Sequence, residues 1–420
     1  MSRLPSLLFV APILPAETGN GLAMRAAVFL EALALDFAVT LLVVPVAGGS
    51  HDAQGFAAER ARRVVVLRVD DKLDPLWDLC SRVLDPQARA NAWAAYPRPA
   101  LCRYAVTPCL DAARAALASE HFDAVHVMRS YLAPYAAPFL KPGARACPPT
   151  ASLDLDDDEA LTHGRLAVLL GRAGRSAESL VAAAEAPKYE RLEAEWLPRF
   201  GLVVTCTTAH ARKIATMLPG TRTAVVPNTV ALPPCPPRSR GTGKHILFVG
   251  NLSYLPNVDG LCTFVVETLP RLRARFGAAV TLRIAGSAPA PEVTALAAFP
   301  GVEIAANPAD LTRHYRWADL AVIPLTAGGG TRIKLLEAFA HQVPVVATTI
   351  GAEGIAAQDR VHFLCANSSA AFADACGELI CDPPLASRLA SRARRLVEAG
   401  YAHALGVRAI REAFMPSRVN

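Results

Sequence analysis

The chain has 420 residues, enough for two or three ordinary domains, and 52% of them are apolar, so a large core can be buried. The net charge of +6 is spread along the chain, with no basic block interleaved with aromatics, which argues against nucleic-acid binding. Ten cysteines without C-x-x-C pairs or zinc spacing read as reduced, mostly buried thiols of a cytosolic protein, and no apolar run approaches the ~18 residues of a membrane-spanning helix.

Leu7 to Ala11 reads as a buried strand rather than a signal peptide, because its apolar part is short and Pro12 and Pro15 break it. A turn-rich loop, Pro15 to Gly21, leads into a helix from Leu22 to Leu35 with Asn20 as N-cap. A second strand covers Phe37 to Val44. This strand–glycine loop–helix–strand unit opens a Rossmann-like domain. It carries only Gly19 and Gly21, not the G-x-G-x-x-G of a dinucleotide site. Another strand covers Val64 to Val69. The stretch from Asp70 to Pro108, with Trp77, Trp93 and Tyr96, reads as an irregular insertion. It either shapes a ligand site or packs around its aromatics.

The segment His121 to Arg129 reads as a strand ending in polar groups, and ligands of open parallel sheets bind beyond such ends. A strand from Thr150 to Leu155 runs into Asp154, Asp156, Asp157, Asp158 and Glu159. These crowded carboxylates admit several readings: a divalent-cation site, a general base or charge stabiliser, an aspartyl nucleophile, or an acidic first helical turn facing solvent. Lys188 to Trp196 reads as the solvated face of a charged helix. A strand from Gly201 to Cys206, a helix from Ala209 to Met217 and a short strand from Thr223 to Val226 complete the first half. The expected domains are 1–227, a proline- and glycine-rich linker at 228–243, a second Rossmann-like domain at 244–395, and a C-terminal helix at 396–420 crossing back to the first.

The second half repeats the alternation. Strands are expected at His245 to Val249, Val280 to Ala285, Val302 to Ala305, Asp319 to Leu325 and Val343 to Thr348. Helices are expected at Asn257 to Phe276 and Ala309 to Trp317, and the stretch from Pro384 to Phe414 reads as helical. Strands alternating with helices through short glycine turns mean parallel sheets, so the fold class is α/β with two doubly wound domains and a cleft between them. The arginines from Arg388 to Arg411 could touch anionic lipid or simply face solvent.

The central stretch runs from Thr326 to Pro344. Three glycines, Gly328 to Gly330, follow a buried strand, and Thr331 precedes a helix with Ile333, Leu336, Phe339 and Ala340 on one face. A strand passing through glycine into a capped helix presents free N–H groups and the positive end of the helix dipole, which suits phosphate. Arg332 and Lys334 fall in the first turn, where cations cost up to ~1 kcal/mol until an anion arrives. Glu337 stands one turn on and could accept hydrogen bonds from vicinal sugar hydroxyls. The alternative is a surface helix start with a Lys334–Glu337 pair.

Several stretches together resemble retaining family-four GT-B glycosyltransferases. They are Val226-Pro227-Asn228-Thr229, Phe248 to Leu252 with Pro256 to Asp259, Gly328 to Ala340, Val343 to Thr348 and Gly351 to Gly354. The glycine loop, His126 and the acidic stretch follow in the family order. The pattern is similar to a subgroup found with bacterial exopolysaccharide genes. The resemblance implies that Glu337 binds a ribose and that Arg332 and Lys334, with the amides of Gly330 and Thr331, hold a diphosphate. Gly250 belongs to the same donor site, Gly286 lies near the base, and Gly19 and Gly21 face the donor across the cleft. His126 and Asp156 are the candidate catalytic residues, orienting sugar or acceptor.

The sequence departs from the family at Gly329, where many relatives carry a glutamate, and at Tyr254 and Asn257, where they carry cations. No metal and no cofactor are implied; the nucleotide-sugar is the substrate, and a saccharide or lipid-linked saccharide accepts the sugar. The expected location is cytoplasmic, with peripheral contact to the inner membrane surface as an option. A nucleotide-sugar epimerase and a non-catalytic nucleotide-sugar-binding protein remain alternatives.

Overall fold

The computed structural model describes residues 4–46, 55–140, 150–234 and 244–415. Residues 235–243, most of the expected linker, lie outside the described residues. The chain divides into two units. One holds the described residues up to Pro227 and those from Gly406 onward, and the other holds Asn228–Leu405.

Unit one is built on seven parallel strands: β1 (Ser6–Ala11), β2 (Ala38–Val43), β3 (Arg63–Val66), β4 (Ala124–Met128), β5 (Ala151–Asp154), β6 (Leu202–Thr205) and β7 (Thr223–Val225). Their order is β3-β2-β1-β4-β5-β6-β7. Unit two has six parallel strands: β8 (His245–Asn251), β9 (Thr281–Ser287), β10 (Val302–Ala306), β11 (Leu320–Ile323), β12 (Val345–Ala347) and β13 (Leu364–Cys365), ordered β10-β9-β8-β11-β12-β13. Sequences such as Leu-Leu-Phe-Val-Ala in β1 are continuously apolar because helices cover both faces of a parallel sheet. Each order reverses direction once, between β1 and β4 and between β8 and β11. The loops leaving those strand pairs diverge to opposite faces and leave a crevice, where ligands of doubly wound sheets bind.

The helices follow the apolar pattern, with corrections where local signals were missed. The first helix runs Gly21–Ala34, and the Asn20 side chain accepts from Leu22 N–H, as its position predicts. The stretch 70–108 is not irregular. Asp74 and Asp85 each cap a helix, Pro75–Ser81 and Pro86–Ala95, whose first residue is proline. An Asp-Pro pair supplies both a capping oxygen and a residue with no N–H to satisfy, so the signal was present in the sequence. The helix Ser176–Trp196 is longer than expected, and it is not a solvated face. It packs on Glu159–Arg172 and buries Glu185, Lys188, Tyr189, Leu192 and Glu193. Lys188 is neutralised by Glu185 at 2.9 Å, which lets both charges lie inside.

The C-terminal region forms two helices, Pro383–Gly400 and His403–Phe414. The second inserts Ile410 and Phe414 into the core of unit one beside Phe9, Phe29 and Val226, and Arg411 pairs with Asp36 at 2.7 Å. Phe414 meets the His126 ring edge-on, with centroids 5.4 Å apart. Phe414→Ala should therefore cost unit one about 3–5 kcal/mol through the cavity it leaves. Urea-dependent hydrogen exchange in β1 and β4 would report this, and an unchanged midpoint would show that Phe414 is dispensable.

Candidate functional site

The switch point of unit two is formed by the loop after β8 and the loop after β11. The second of these is the glycine stretch. Gly328 and Gly330 have φ of +112° and +67°, in the left-handed region where a side chain is strained. That geometry turns the chain sharply from β11 toward the helix Ile333–Ala340.

The start of that helix differs from the expectation in one respect. Thr331 is not its cap: Arg332 occupies the N-cap position and makes no side-chain cap hydrogen bond. The Thr331 Oγ1 is buried and has no partner among the described residues. The positive end of the helix therefore has no cap from its N-cap side chain, and two cations stand at it.

Arg332 is buried, at 7% exposure. Its Nε donates to the Ile350 carbonyl at 3.0 Å, and its Nη1 donates to the Gly329 carbonyl. The Glu353 carboxylate stands 3.7 Å from Nη2. Lys334 is half-buried; its Nζ donates to Asn257 Oδ1 at 2.5 Å and lies 4.6 Å from the centre of the Phe248 ring. Burial, together with the positive Arg332, pulls the Lys334 ammonium down to about 7. Glu337 accepts from the Tyr315 hydroxyl at 3.0 Å. Burial pushes its carboxyl up to about 7, against the opposing pull of that hydrogen bond and of Lys334. Anion binding at the helix start would shift Lys334 toward its charged form, since opposite charge at short range favours ionisation.

Gly250 lies near the end of β8 and Gly286 near the end of β9, and packing explains both. A Cβ on Gly286 would lie 1.7 Å from the Gly250 carbonyl, so the two strands come this close only without a side chain. A Cβ on Gly250 would lie 3.0 Å from both Lys334 Nζ and Asn257 Nδ2. The structure thus brings Gly250, Gly330, Thr331, Arg332, Lys334 and Glu337 together at one strand end, with Gly286 immediately behind. It adds residues the sequence reading did not assign. Asn257 holds Lys334 while its Nδ2 donates to the Asn251 carbonyl at 2.6 Å. The Tyr254 hydroxyl and the Arg332 guanidinium both approach the open side of Gly328, at 3.3 Å and 3.2 Å from the position a Cβ would take. Tyr315 supports Glu337 and stacks on His341 at 4.4 Å.

The remaining candidates lie in unit one. Gly19 and Gly21 flank the Asn20 cap at the start of the first helix. His126 requires correction as a catalytic candidate. It has no exposure, its ring is enclosed by Phe9, Phe29 and Phe414, and its Nδ1 meets Ser152 Oγ at 2.9 Å. Burial and the nearby Arg25 pull its imidazole down to about 3, so it stays neutral. A ring in the middle of β4 has no path to a ligand. The acidic stretch is not a solvent-facing turn either, because each of its buried members has a cation or a cap to serve. Asp154 receives Arg25 in a two-point pair at 2.6 and 2.7 Å. Asp156 pairs with Arg129 at 2.8 Å, and Asp158 caps the helix Glu159–Arg172 and pairs with Lys213. Among the described residues no group of three or more His, Cys, Asp or Glu side chains is arranged to hold a metal ion.

Residues 243–382 match the family model described as glycosyl transferases group 1. No curated protein matches the chain in sequence. Solved structures match it over nearly its full length. The glycosyltransferase from Rickettsia africae ESF-5 has a TM-score of 0.62 at 13% identity, covering 99% of this chain and 100% of that one. Anabaena Alr3699/HepE in complex with UDP and glucose has a TM-score of 0.62 at 14% identity, covering 97% and 98%. A single-residue mutant of S. aureus TarM in complex with Fondaparinux, alpha-GlcNAc-glycerol and UDP has a TM-score of 0.64 at 11% identity, covering 98% and 100%. At such identities the likeness establishes the fold, the two-domain Rossmann-like GT-B architecture. The matched residues, 243–382, contain the glycine stretch, both cations and Glu337.

Proposed function

We propose that the protein transfers a sugar from a nucleoside-diphosphate sugar to a hydroxyl acceptor, with retention of configuration and without a metal. The observation that carries this reading is a pair of cations at a helix start without a side-chain cap from its N-cap residue, at the switch point of the unit whose residues 243–382 match the group 1 glycosyltransferase model. In this reading Lys334, Arg332 and the amides of Gly330 and Thr331 bind the diphosphate. Donors preorganised where charge develops stabilise the departing phosphate most, because they need no rearrangement as the bond breaks. Glu337, oriented by Tyr315, accepts from the ribose hydroxyls. The leaving phosphate takes the acceptor proton, so no separate base is required, and Asp156 acts by position.

The acceptor is read as a saccharide, free or lipid-linked. Exposed Arg388, Arg392 and Arg395 form one stripe of a helix, which supports contact with an anionic inner-membrane surface from the cytoplasmic side. UDP in the Anabaena and S. aureus structures makes UDP the first ligand to test.

Glu337→Gln should weaken UDP or another preferred nucleoside diphosphate by about 10- to 100-fold, the scale of a charge-assisted hydrogen bond. Calorimetric titration measures this, and equal affinity would remove Glu337 from the ribose role. Arg332→Ala should abolish transfer. Its bonds to Ile350 and Gly329 mean that it should also lower Tm, contrary to what a purely ligand-facing residue would do.

The bound state requires charged Lys334 and charged Glu337, whereas in the free protein both titrate near about 7. Lys334 must gain a proton and Glu337 must lose one. At pH 7 the wild type should therefore exchange little net proton on binding. Lys334→Met should release protons, and Glu337→Gln should take them up. Titrations in buffers of different ionisation enthalpy read the sign directly; one common sign in both variants would refute the pairing.

A further inference from the structure

Two loops meet at the switch point of unit two, after β8 and after β11, and one side chain ties them together. Asn257 stands in the first turn of the helix Leu255–Thr263, and Lys334 in the first turn of the helix Ile333–Ala340, 77 residues further along the chain. Asn257 is only 3% exposed. Its Nδ2 donates to the Asn251 carbonyl at the end of β8, at 2.6 Å, and its Oδ1 accepts from Lys334 Nζ at 2.5 Å. Gly250, the residue before Asn251, leaves the room for both, since a Cβ there would lie 3.0 Å from each of these nitrogens.

The two partners leave little choice of side chain between them. A carbonyl oxygen only accepts and an ammonium only donates, so the residue that joins them must offer one donor and one acceptor. A carboxamide does this. A carboxylate does not, because its second oxygen would face the Asn251 carbonyl. The amide is also neutral, so it fixes where the ammonium sits and cancels none of its charge. Little else around Lys334 cancels it. Phe248 presents its ring at 4.6 Å, Arg332 carries the same sign, and Asp259, the carboxylate of the Asn257 helix, accepts from Thr326 at 2.8 Å. Glu337, one turn along the Lys334 helix, favours the charged lysine, but burial pushes its own carboxyl up to about 7.

We propose that Asn257 is a positioning residue that holds Lys334 in place for a phosphate without matching its charge, so that an incoming diphosphate supplies the counter-charge that the fold withholds. This rests on the transferase reading, in which Lys334 binds the donor diphosphate, and it adds a consequence for pH. Burial and Arg332 bring the free ammonium down to about 7. Above that pH the ligand must bring a proton with it, so the bound state holds more protons than the free one. UDP affinity should then fall by about tenfold for each further pH unit. Glu337 has already lost its proton there and does not mask the slope.

The test uses the full chain labelled with 13C at lysine Cε, whose NMR shift follows the ionisation of each side chain. The chain has six lysines, and Lys334→Met identifies the Lys334 line. UDP affinity is measured by calorimetric titration from pH 7.5 to 9. The free wild-type line should titrate near about 7 and move to higher pH with saturating UDP. In Asn257→Asp a carboxylate stands beside the ammonium. The free line should titrate at least ~1 pH unit higher, and UDP at pH 7.5 should bind about 10-fold more weakly, because it meets a lysine already paired. In Asn257→Ala the ammonium loses its anchor. Its line should also move up, toward that of a lysine in water, and UDP should weaken about 3- to 10-fold, the loss of one hydrogen bond. In both variants the fall of affinity between pH 8 and 9 should become shallower. A merely structural Asn257 would lower Tm and leave the Lys334 line and the pH slope as they are in the wild type.

Three results overturn the inference: a free wild-type Lys334 that titrates near the ordinary lysine value of about 10; a Lys334 line unmoved in both variants; or UDP bound by Asn257→Asp as tightly as by the wild type at pH 7.5. If the wild type binds neither UDP nor another nucleoside diphosphate, the transferase reading fails instead, and the lysine line still judges what Asn257 does for Lys334.

Discussion

A lysine ammonium stands at the positive end of a helix, held by an amide oxygen and an aromatic face rather than by a carboxylate, and the glycine-turn site of unit two is organised around it. Such a cation is unfavourable where it sits, because the helix dipole and Arg332 both oppose it. Asn257 and Phe248 hold it with neutral groups that leave its charge unspent. A carboxylate in the place of Asn257 would stabilise the free protein and compete with any incoming diphosphate. The neutral support keeps the electrostatic attraction available to the ligand.

The same distinction separates the two units. In unit one the buried charges are mostly neutralised within the fold. Arg25 reaches from the first helix to Asp154 at the end of β5 and to the Val226 carbonyl at 3.0 Å, so it ties three parts of the unit together. Breaking a buried pair of this kind leaves an uncompensated charge, which is why it serves as a fixed strut. Arg129 is the intermediate case: two of its nitrogens are committed to carboxylates and the third is not.

Much of the fold was legible in the sequence. Continuous apolar runs mark β1, β8 and β11, because strands covered on both faces need no polar alternation. Asn20 and the Gly328–Gly330 turn mark element ends through chemistry confined to a few residues. The helices at 75–81 and 86–95 were equally legible through their Asp-Pro starts and were overlooked among the surrounding tryptophans and prolines. The helix Ser176–Trp196 was not legible as a buried element, since Lys188 and Glu193 look solvent-facing until a partner helix covers them.

The sequence by itself determined the parallel α/β class, the glycine turn before a helix and the identity of Arg332, Lys334 and Glu337 as its charged residues, because these depend on spacing within short segments. Only the tertiary structure decided that Asn257 and Tyr315 hold those charges, that His126 is core rather than catalyst, and that the acidic stretch is paired to Arg25, Arg129 and Lys213. Those outcomes depend on which residues, distant in the chain, share a low-dielectric interior, and burial and pairing of that kind have no period or spacing to read.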